Sequence, residues 1–111
     1  MKFRQTFDSR ADFERLKNGA ARFPARFFIA NAAPARTNPA KYGMVATIKS
    51  FDTAVKRNRA RRLMREWLRL SGKLDPALDY SFVLRPHILD AKAGEGQKEL
   101  SRALGKLREM I

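Results

Sequence analysis

Short runs of aromatic and branched residues predict three β-strands along this chain. They occupy residues 26–30, 42–48 and 80–84, and proline, glycine or polar residues typical of turns and loops adjoin them. Alternation within the first run places Phe28 and Ala30 on one face of the strand, opposite its other apolar residues. Since the first two runs follow each other across a loop, we expect them to form an antiparallel pair. The segments predicted as loops or connectors are residues 31–41, 49–53, 73–79 and 88–95.

A different spacing, with apolar residues three and four positions apart, predicts three helices. The first begins at Ser9, which can cap it together with Asp12, and ends near Gly19. The second covers residues 54–70, and the third covers residues 97–111. The apolar stripe of the third helix consists of Leu100, Ala103, Leu104 and Leu107. The predicted order is helix, strand, strand, helix, strand, helix, which indicates an α+β fold, a two-layer sandwich with helices on a small sheet.

The helix predicted at residues 54–70 separates an apolar face from a strongly basic one. Asp52 or Thr53 is placed to cap its amino end, and Gly72 is placed to end it. Its apolar face contains Ala60, Leu63, Met64 and Trp67, with Leu68 and Leu70 at the sides. Its opposite face contains Asn58, Arg61, Arg62, Arg65 and Arg69. If the strands on either side of this helix are parallel, the helix is their crossover connection.

The charge of the chain predicts a function as well as a fold, namely binding to a partner. The chain of 111 residues carries 24 Lys and Arg against 11 Asp and Glu, a formal net charge of +13, which favours a polyanionic partner. Seven of the cations lie between residues 56 and 69, beside the single acid Glu66. The guanidinium of arginine pairs with phosphate oxygens and stacks on bases, whereas an ordinary solvated face mixes both signs. The basic helix therefore predicts contact with a nucleic acid.

Several function classes find no support in the sequence. There is no cysteine, so disulfides and thiolate metal sites are excluded, as suits a cytoplasmic protein. No run approaches the length of a membrane-spanning helix, and the amino terminus lacks the apolar stretch of a signal peptide. The lone His87 has no second histidine at a ligand spacing, and Asp75, Asp79, Glu95 and Glu99 read as connector and cap residues. We expect one domain over residues 1–111, with no catalytic residue and no metal ligand.

The ordered string Lys-Arg-Asn-Arg-Ala-Arg-Arg-Leu-Met-Arg-Glu at residues 56–66 resembles the signature helix of the bacterial ribonuclease P protein component family. Asp12, Phe13 and Gly19 resemble the first helix of that family, and the strand opened by Asp79 resembles the one after its basic helix. The resemblance implies an accessory subunit of a ribonucleoprotein endoribonuclease, a hydrolase in which RNA performs catalysis. It also implies a left-handed β-α-β crossover through the basic helix, which physical rules alone do not predict.

The same resemblance implies partners and binding residues. The partners are the ribonuclease P RNA and precursor tRNA, whose 5′ leader is removed with Mg²⁺ held mainly by the RNA; no membrane and no obligate protein partner are expected. The implied RNA-binding residues are Lys49, Lys56, Arg57, Asn58, Arg59, Arg61, Arg62, Arg65 and Arg69. The implied leader cleft combines Phe13, Leu16, Phe28, Ala30, Asn58 and Arg65. Stacking surface beside a positive track suits a single strand.

Three positions depart from the family pattern. Of the two lysines and one glycine usual before the basic helix, only Lys49 remains. Ala30 lies where the family often has an aromatic residue, and Leu16 lies near a position often filled by phenylalanine. We therefore expect a cleft that holds its strand less tightly than in relatives.

Three other functions are compatible with parts of the sequence. A general RNA-binding or ribosomal protein without a processing role shares the charge and the fold class. A DNA-binding protein of the helix-turn-helix type needs a second helix a short turn away, which the segments around residues 54–70 do not offer. An autonomous nuclease needs clustered acids or histidines, which the sequence does not display.

Overall fold

The computed structural model describes residues 5–6, 10–19, 21–71 and 74–111, with side chains from residue 11 onward. The predicted cap Ser9 and the predicted helix stop Gly72 lie outside the described residues. In chain order the elements are β1 (Gln5–Thr6), α1 (Arg10–Lys17), β2 (Ala21–Pro24), β3 (Phe28–Pro34), β4 (Lys41–Val45), α2 (Ala54–Ser71), β5 (Leu78–Leu84), the 3₁₀ helix Pro86–Asp90, and α3 (Glu95–Met110). The predicted α+β fold class is confirmed, whereas the single-domain extent over residues 1–111 stays a prediction.

The strand that comes last in the sequence, β5, lies at the centre of the sheet. The order of the strands is β1-β4-β5-β3-β2, with β4 and β5 parallel and β5 and β3 antiparallel. Because α2 leads from β4 to β5, the basic helix is the crossover between two parallel strands. The expected antiparallel pairing of the first two predicted strands is wrong, because β5 lies between β3 and β4. The left-handed sense of the crossover stays a prediction.

Several boundaries differ from the prediction because pairing overrides local preference. Residues 31–34, predicted as loop, continue β3 and pair with the start of β5, where Ala32 lies opposite Tyr80. The edge strand β2 was missed, and its Pro24 is tolerated at the strand end opposite Ile29. Residues 86–90 form a 3₁₀ helix where the sequence predicted a strand-ending proline and a loop.

One face of the sheet carries the main core under α2 and α3. Phe28, Tyr80 and Phe82 project from the strands onto this face, and Met64 and Leu100 meet them from the helices. All five side chains are almost completely buried. This packing binds the apolar face of α2 to the sheet and leaves the basic face of the helix directed outward.

The other face of the sheet is covered only in part. The helix α1 crosses it, and its Leu16 forms a small separate cluster with Ala33 and with the half-buried Phe13. Beyond α1, no other helix that the structure describes covers this sheet face, and the opening forms a cleft.

Candidate nucleic-acid interface

The amino end of α2 is tied to the turn before it. The backbone N–H of Lys56 donates to the Thr53 hydroxyl at 3.2 Å, so Thr53 is the cap and that alternative of the prediction is confirmed. Arg57 donates from Nη1 to the carbonyl oxygen of Phe51 at 2.9 Å, and Phe51 is buried. One arginine of the basic helix therefore also holds the preceding turn in place.

The two faces of α2 lie as predicted. Ala60, Met64, Trp67 and Leu68 are buried. Leu63 is half-buried and packs against the core, whereas Leu70 is 48% exposed and contributes little to it. The cationic side chains of Arg59, Arg62, Arg65 and Arg69 are exposed.

Two acids neutralise part of this basic face. Asp52 pairs with Lys56 at 3.0 Å, and Glu66 accepts from both Nε and Nη2 of Arg69. The hydrogen bond from Lys56 lowers the pKa of Asp52, and the hydrogen bond from Arg69 lowers the pKa of Glu66 while raising that of Arg69. Both carboxylates therefore stay ionised at neutral pH. Lys56 and Arg69 are each already paired with an acid of the same chain before any ligand binds.

Three arginines of α2 have no such partner. Within the described part of the chain, Arg59, Arg62 and Arg65 form no ion pair and no side-chain hydrogen bond. Asn58 is exposed and accepts only a long 3.5 Å contact from Arg61. Because a free guanidinium can bind phosphate without first breaking a bond in the protein, these three arginines are available to pair with an anion.

A groove lies along the side of α2 that faces β4. It has a volume of about 280 Å³ and is lined by Tyr42, Arg62, Arg65, Glu66 and Arg69. Two of the unpartnered arginines thus border one concave surface, which suits a sugar-phosphate backbone.

A larger cleft of about 470 Å³ opens on the opposite side of the sheet, beside α1. Its residues are Phe13, Glu14, Lys17, Asn18, Arg22, Ile29, Asn31, Val45, Ser81 and Val83. Aromatic and aliphatic groups therefore line a cleft that also carries the exposed cations Lys17 and Arg22. Apolar surface beside positive charge is the combination that single-stranded nucleic acid requires.

The structure does not bring together the residues predicted to form a leader cleft. Phe28 and Ala30 are completely buried on the core face, because the pleat brings their neighbours Ile29 and Asn31 to the open face. Leu16 is also completely buried, under α1. Only Phe13 of the predicted set lines the cleft.

The two remaining cleft predictions belong to a different part of the molecule. Arg65 lines the groove beside Tyr42, and Asn58 does not line the cleft. The reason is topological: α1 and α2 pack on opposite faces of one sheet, so their side chains do not share a cavity.

Several cleft residues were missed by sequence reasoning. Ile29, Asn31, Ser81 and Val83 form its floor, and Lys17 and Arg22 add charge. A correct face assignment for β3 and β5 would have found the floor, since both strands alternate strictly. No sequence motif distinguishes Lys17 and Arg22 from the other residues among the 24 Lys and Arg.

The remaining predicted residues have simpler surroundings. Lys49 is exposed on the turn before α2, and His87 is exposed in the 3₁₀ helix. Glu95 begins α3 and accepts from the backbone N–H of Lys92 in the preceding loop at 2.7 Å, whereas the N-cap of this helix is Gly94. Among the residues that the structure describes, no group of three His, Asp or Glu side chains could hold a metal ion. No helix in the described ranges combines the length and the apolar character needed to cross a bilayer.

Comparison with known proteins identifies relatives by sequence. The family model described as Ribonuclease P matches residues 1–108. The chain is 35% identical over 101 residues to the ribonuclease P protein component of Herpetosiphon aurantiacus, covering 90% of this chain and 81% of the relative. It is 35% identical over 106 residues to that of Brucella melitensis, covering 86% of this chain and 74% of the relative.

Comparison by structure agrees on the fold. The RNase P protein of Staphylococcus aureus superposes with a TM-score of 0.74 at 20% identity, over 98% of this chain and 100% of that protein. The RNase P protein from Thermotoga maritima superposes with a TM-score of 0.75 at 19% identity, over 91% of this chain and 96% of that protein. Sequence and fold lead to the same conclusion: this chain belongs to the ribonuclease P protein family.

Proposed function

We propose that this chain is the protein subunit of ribonuclease P and that it binds both the catalytic RNA and the 5′ leader of precursor tRNA. Membership of the family implies a ribonucleoprotein endoribonuclease and an RNA partner. The observation that carries the proposal is the row of arginines at positions 59, 62 and 65, which have no partner among the described residues, on a helix whose opposite face is buried.

The basic face of α2 is the proposed contact with the catalytic RNA. A helix anchored by Met64, Trp67 and Leu68 presents its cations at a fixed backbone spacing, so the backbone needs no further ordering when they meet phosphates. Lys49, Lys56, Arg57, Asn58, Arg61 and Arg69 border or extend the same surface and remain the further RNA-binding candidates.

The cleft beside α1 is the proposed site for the leader strand. Phe13 offers a stacking surface, Ile29 and Val83 offer an apolar floor, and Lys17 and Arg22 offer phosphate contacts. Such a site favours a single strand over a duplex, because only an unstacked, unpaired base can stack on Phe13.

In this proposal, cleavage of the phosphodiester bond belongs to the RNA partner. Mg²⁺ would be held mainly by that RNA, and the protein would hold the leader so that the scissile phosphate stays near the RNA-bound ions. The cytoplasmic location expected from the sequence stays a prediction.

Reconstitution tests the proposal. Purified protein is combined with a bacterial ribonuclease P RNA and a leader-bearing precursor tRNA at low Mg²⁺, and 5′ cleavage is followed. We expect faster cleavage than with RNA alone. No gain at any protein concentration would contradict the proposal and favour the alternative, a general RNA-binding protein without a processing role.

A pair of triple variants adds a matched control. Replacing Arg59, Arg62 and Arg65 by alanine removes three charges from α2 and should abolish most of the gain. Replacing Lys98, Arg102 and Lys106 by alanine removes the same charge from the exposed side of α3 and should leave most of it. Equal losses would indicate that only net charge matters.

A further inference from the structure

The open face of the sheet is divided between α1 and the cleft. Side chains on this face come from paired positions of β3 and β5, because alternate residues of a strand share a face. From the covered end to the open end, the pairs are Ala33–Asp79, Asn31–Ser81 and Ile29–Val83. Ala33 and Asp79 contact α1, whereas the other two pairs line the cleft. The position of α1 therefore decides where the cleft begins.

The apolar contact of α1 with the sheet is small. Among the residues that the structure describes, it consists of Leu16, Ala33 and the half-buried Phe13, separate from the main core. Apolar burial is also non-directional, so such a small cluster resists sliding of the helix only weakly. Something more specific is needed to hold α1 at one position.

Asp79 supplies that specific contact. Its side chain is 2% exposed and forms an ion pair with Nη2 of Arg15 on α1. Its Oδ1 accepts from the backbone N–H of Lys41 at 2.7 Å, and its Oδ2 accepts from that of Arg36 at 3.3 Å. Arg15 also donates from Nη1 to the carbonyl oxygen of Pro34 at 3.4 Å. One buried carboxylate thus joins α1 to the ends of β3 and β4.

We infer that Asp79, through Arg15, is a positioning residue for the cleft: it fixes α1 so that Phe13 and Lys17 lie at the right distance over the sheet to hold a single RNA strand. Arg15 lies two residues from each of them on the same helix. Asp79 itself does not line the cleft, so it acts through α1. The inference rests on the proposed function, because the leader strand is the ligand it assumes.

A purely structural role for this ion pair predicts a different pattern of defects. A general loss of stability would weaken every activity of the protein together. A positioning role would weaken leader binding alone, since α2 packs through its apolar residues on the other face of the sheet from α1.

The experiment uses the holoenzyme assembled from the full chain and a bacterial ribonuclease P RNA. Affinity is measured for precursor tRNA with its leader and for the same tRNA without it, and the ratio gives the gain due to the leader. Affinity of the protein for the RNA subunit is measured separately. The variants are Asp79→Asn, which keeps shape but loses charge, and Arg15→Lys, which keeps charge but loses the planar fork.

For Asp79→Asn we expect the leader gain to fall about tenfold, since displacement of a positioning group by about 1 Å can cost up to about 10²-fold at catalytic sites. Affinity for the RNA subunit should stay within about twofold. Arg15→Lys should retain part of the leader gain, and amides of α1 should exchange faster in both variants while those of α2 stay protected. Leu104→Ala, a cavity in the main core far from α1, is the stability control and should leave the leader gain intact.

The outcomes separate the two proposals. A wild-type holoenzyme without any leader gain overturns the proposed function, and this inference with it. The inference alone is overturned if the wild type shows a normal leader gain and Asp79→Asn keeps it in full. It is also overturned if Leu104→Ala loses as much of the leader gain as Asp79→Asn does. If Asp79→Asn does not fold, Arg15→Lys takes its place, because its guanidinium-to-ammonium change keeps the buried charge paired. A leader gain equal to that of the wild type then overturns the inference, whereas a reduced gain supports it.

Discussion

Arg65 combines three properties at the scale of a single residue. It is exposed, it has no partner among the described residues, and it lines the groove between α2 and Tyr42. A side chain with these properties contributes little to the stability of the fold, so the effect of its substitution can be attributed to binding.

Replacing Arg65 with alanine is expected to weaken affinity for the ribonuclease P RNA by about 1–3 kcal/mol, the range of a hydrogen bond to a charged group. The slope of log affinity against log salt should also become shallower by about 0.7–0.9, the value of one phosphate contact. Filter binding over a salt series measures both. Lys106→Ala on α3 is the control, and a salt slope unchanged from wild type in Arg65→Ala would show that Arg65 does not touch phosphate.

Replacing Glu66 with glutamine should strengthen RNA binding. The Arg69 guanidinium lowers the pKa of Glu66, so the ion pair exists above the ordinary pKa of the acid and is lost only as the pH falls through the lowered value. At neutral pH the substitution releases Arg69 and removes a negative charge. We expect about twofold to tenfold higher affinity in low salt, where such surface effects are largest.

The control for that substitution is Glu109→Gln, which releases Lys106 from a 3.7 Å contact on α3. It changes the net charge by the same amount away from the basic helix. Equal gains in both variants would mean that net charge, and not Arg69, causes the effect.

At the scale of elements, α2 and α3 approach each other through a glycine. A Cβ built on Gly96 would lie 2.0 Å from two ring carbons of Trp67, which is far inside any allowed contact. Trp67 is buried and also meets Phe27 with ring centroids 5.8 Å apart. The indole therefore fills the space that the glycine leaves, and this contact fixes α3 against the basic helix.

The two glycines of α3 give a matched pair of stability variants. Gly96→Ala should destabilise the protein by about 1–3 kcal/mol through overpacking. Gly105→Ala should stabilise it by about 0.5–1 kcal/mol, because that position is exposed with open space around it and alanine favours helix. Urea unfolding followed by circular dichroism measures both, and a stabilised Gly96→Ala protein would contradict the close packing of Gly96 against Trp67.

Element boundaries were predicted well where periodicity is long and poorly where pairing decides. The 18 residues of α2 repeat the helical period many times, and the predicted helix matches Ala54–Ser71 to one residue. In contrast, Asn31, Ala32 and Ala33 have low strand propensity and are strand only because β5 lies beside them.

At the scale of the whole molecule, one sheet separates two candidate surfaces. The arginines of α2 lie over its core face, and the cleft lies on the other face. Because the surfaces share no side chain, their contributions to binding should be independent.

A double variant tests this independence. Phe13→Ala should lower holoenzyme affinity for leader-bearing precursor tRNA without changing affinity for the RNA subunit, and Arg65→Ala should do the reverse. In the double variant, the free-energy losses should add to within about 0.5 kcal/mol, as for separated sites. A larger coupling energy would mean that the two surfaces contact one another or the same part of the substrate.

The candidate site was predictable to different extents on the two faces. The cations of α2 were identified because a helix displays its faces by sequence spacing alone. Of the residues predicted for the cleft, only Phe13 lines it, because a strand has two faces and nothing in the run at residues 26–30 shows which one α1 leaves open. Asp79 was read as a connector residue, since the Arg15 that pairs with it lies 64 positions away.

The amino-acid sequence by itself determined that this protein has a basic helix with a buried face, an α+β architecture, and membership of an RNA-processing family, because these depend on local periodicity, charge and an ordered motif. Only the tertiary structure decided that β5 enters between β3 and β4, which strand face is open, and which carboxylate holds α1. These features come from contacts between residues distant in the chain, and such contacts leave no local pattern in the sequence.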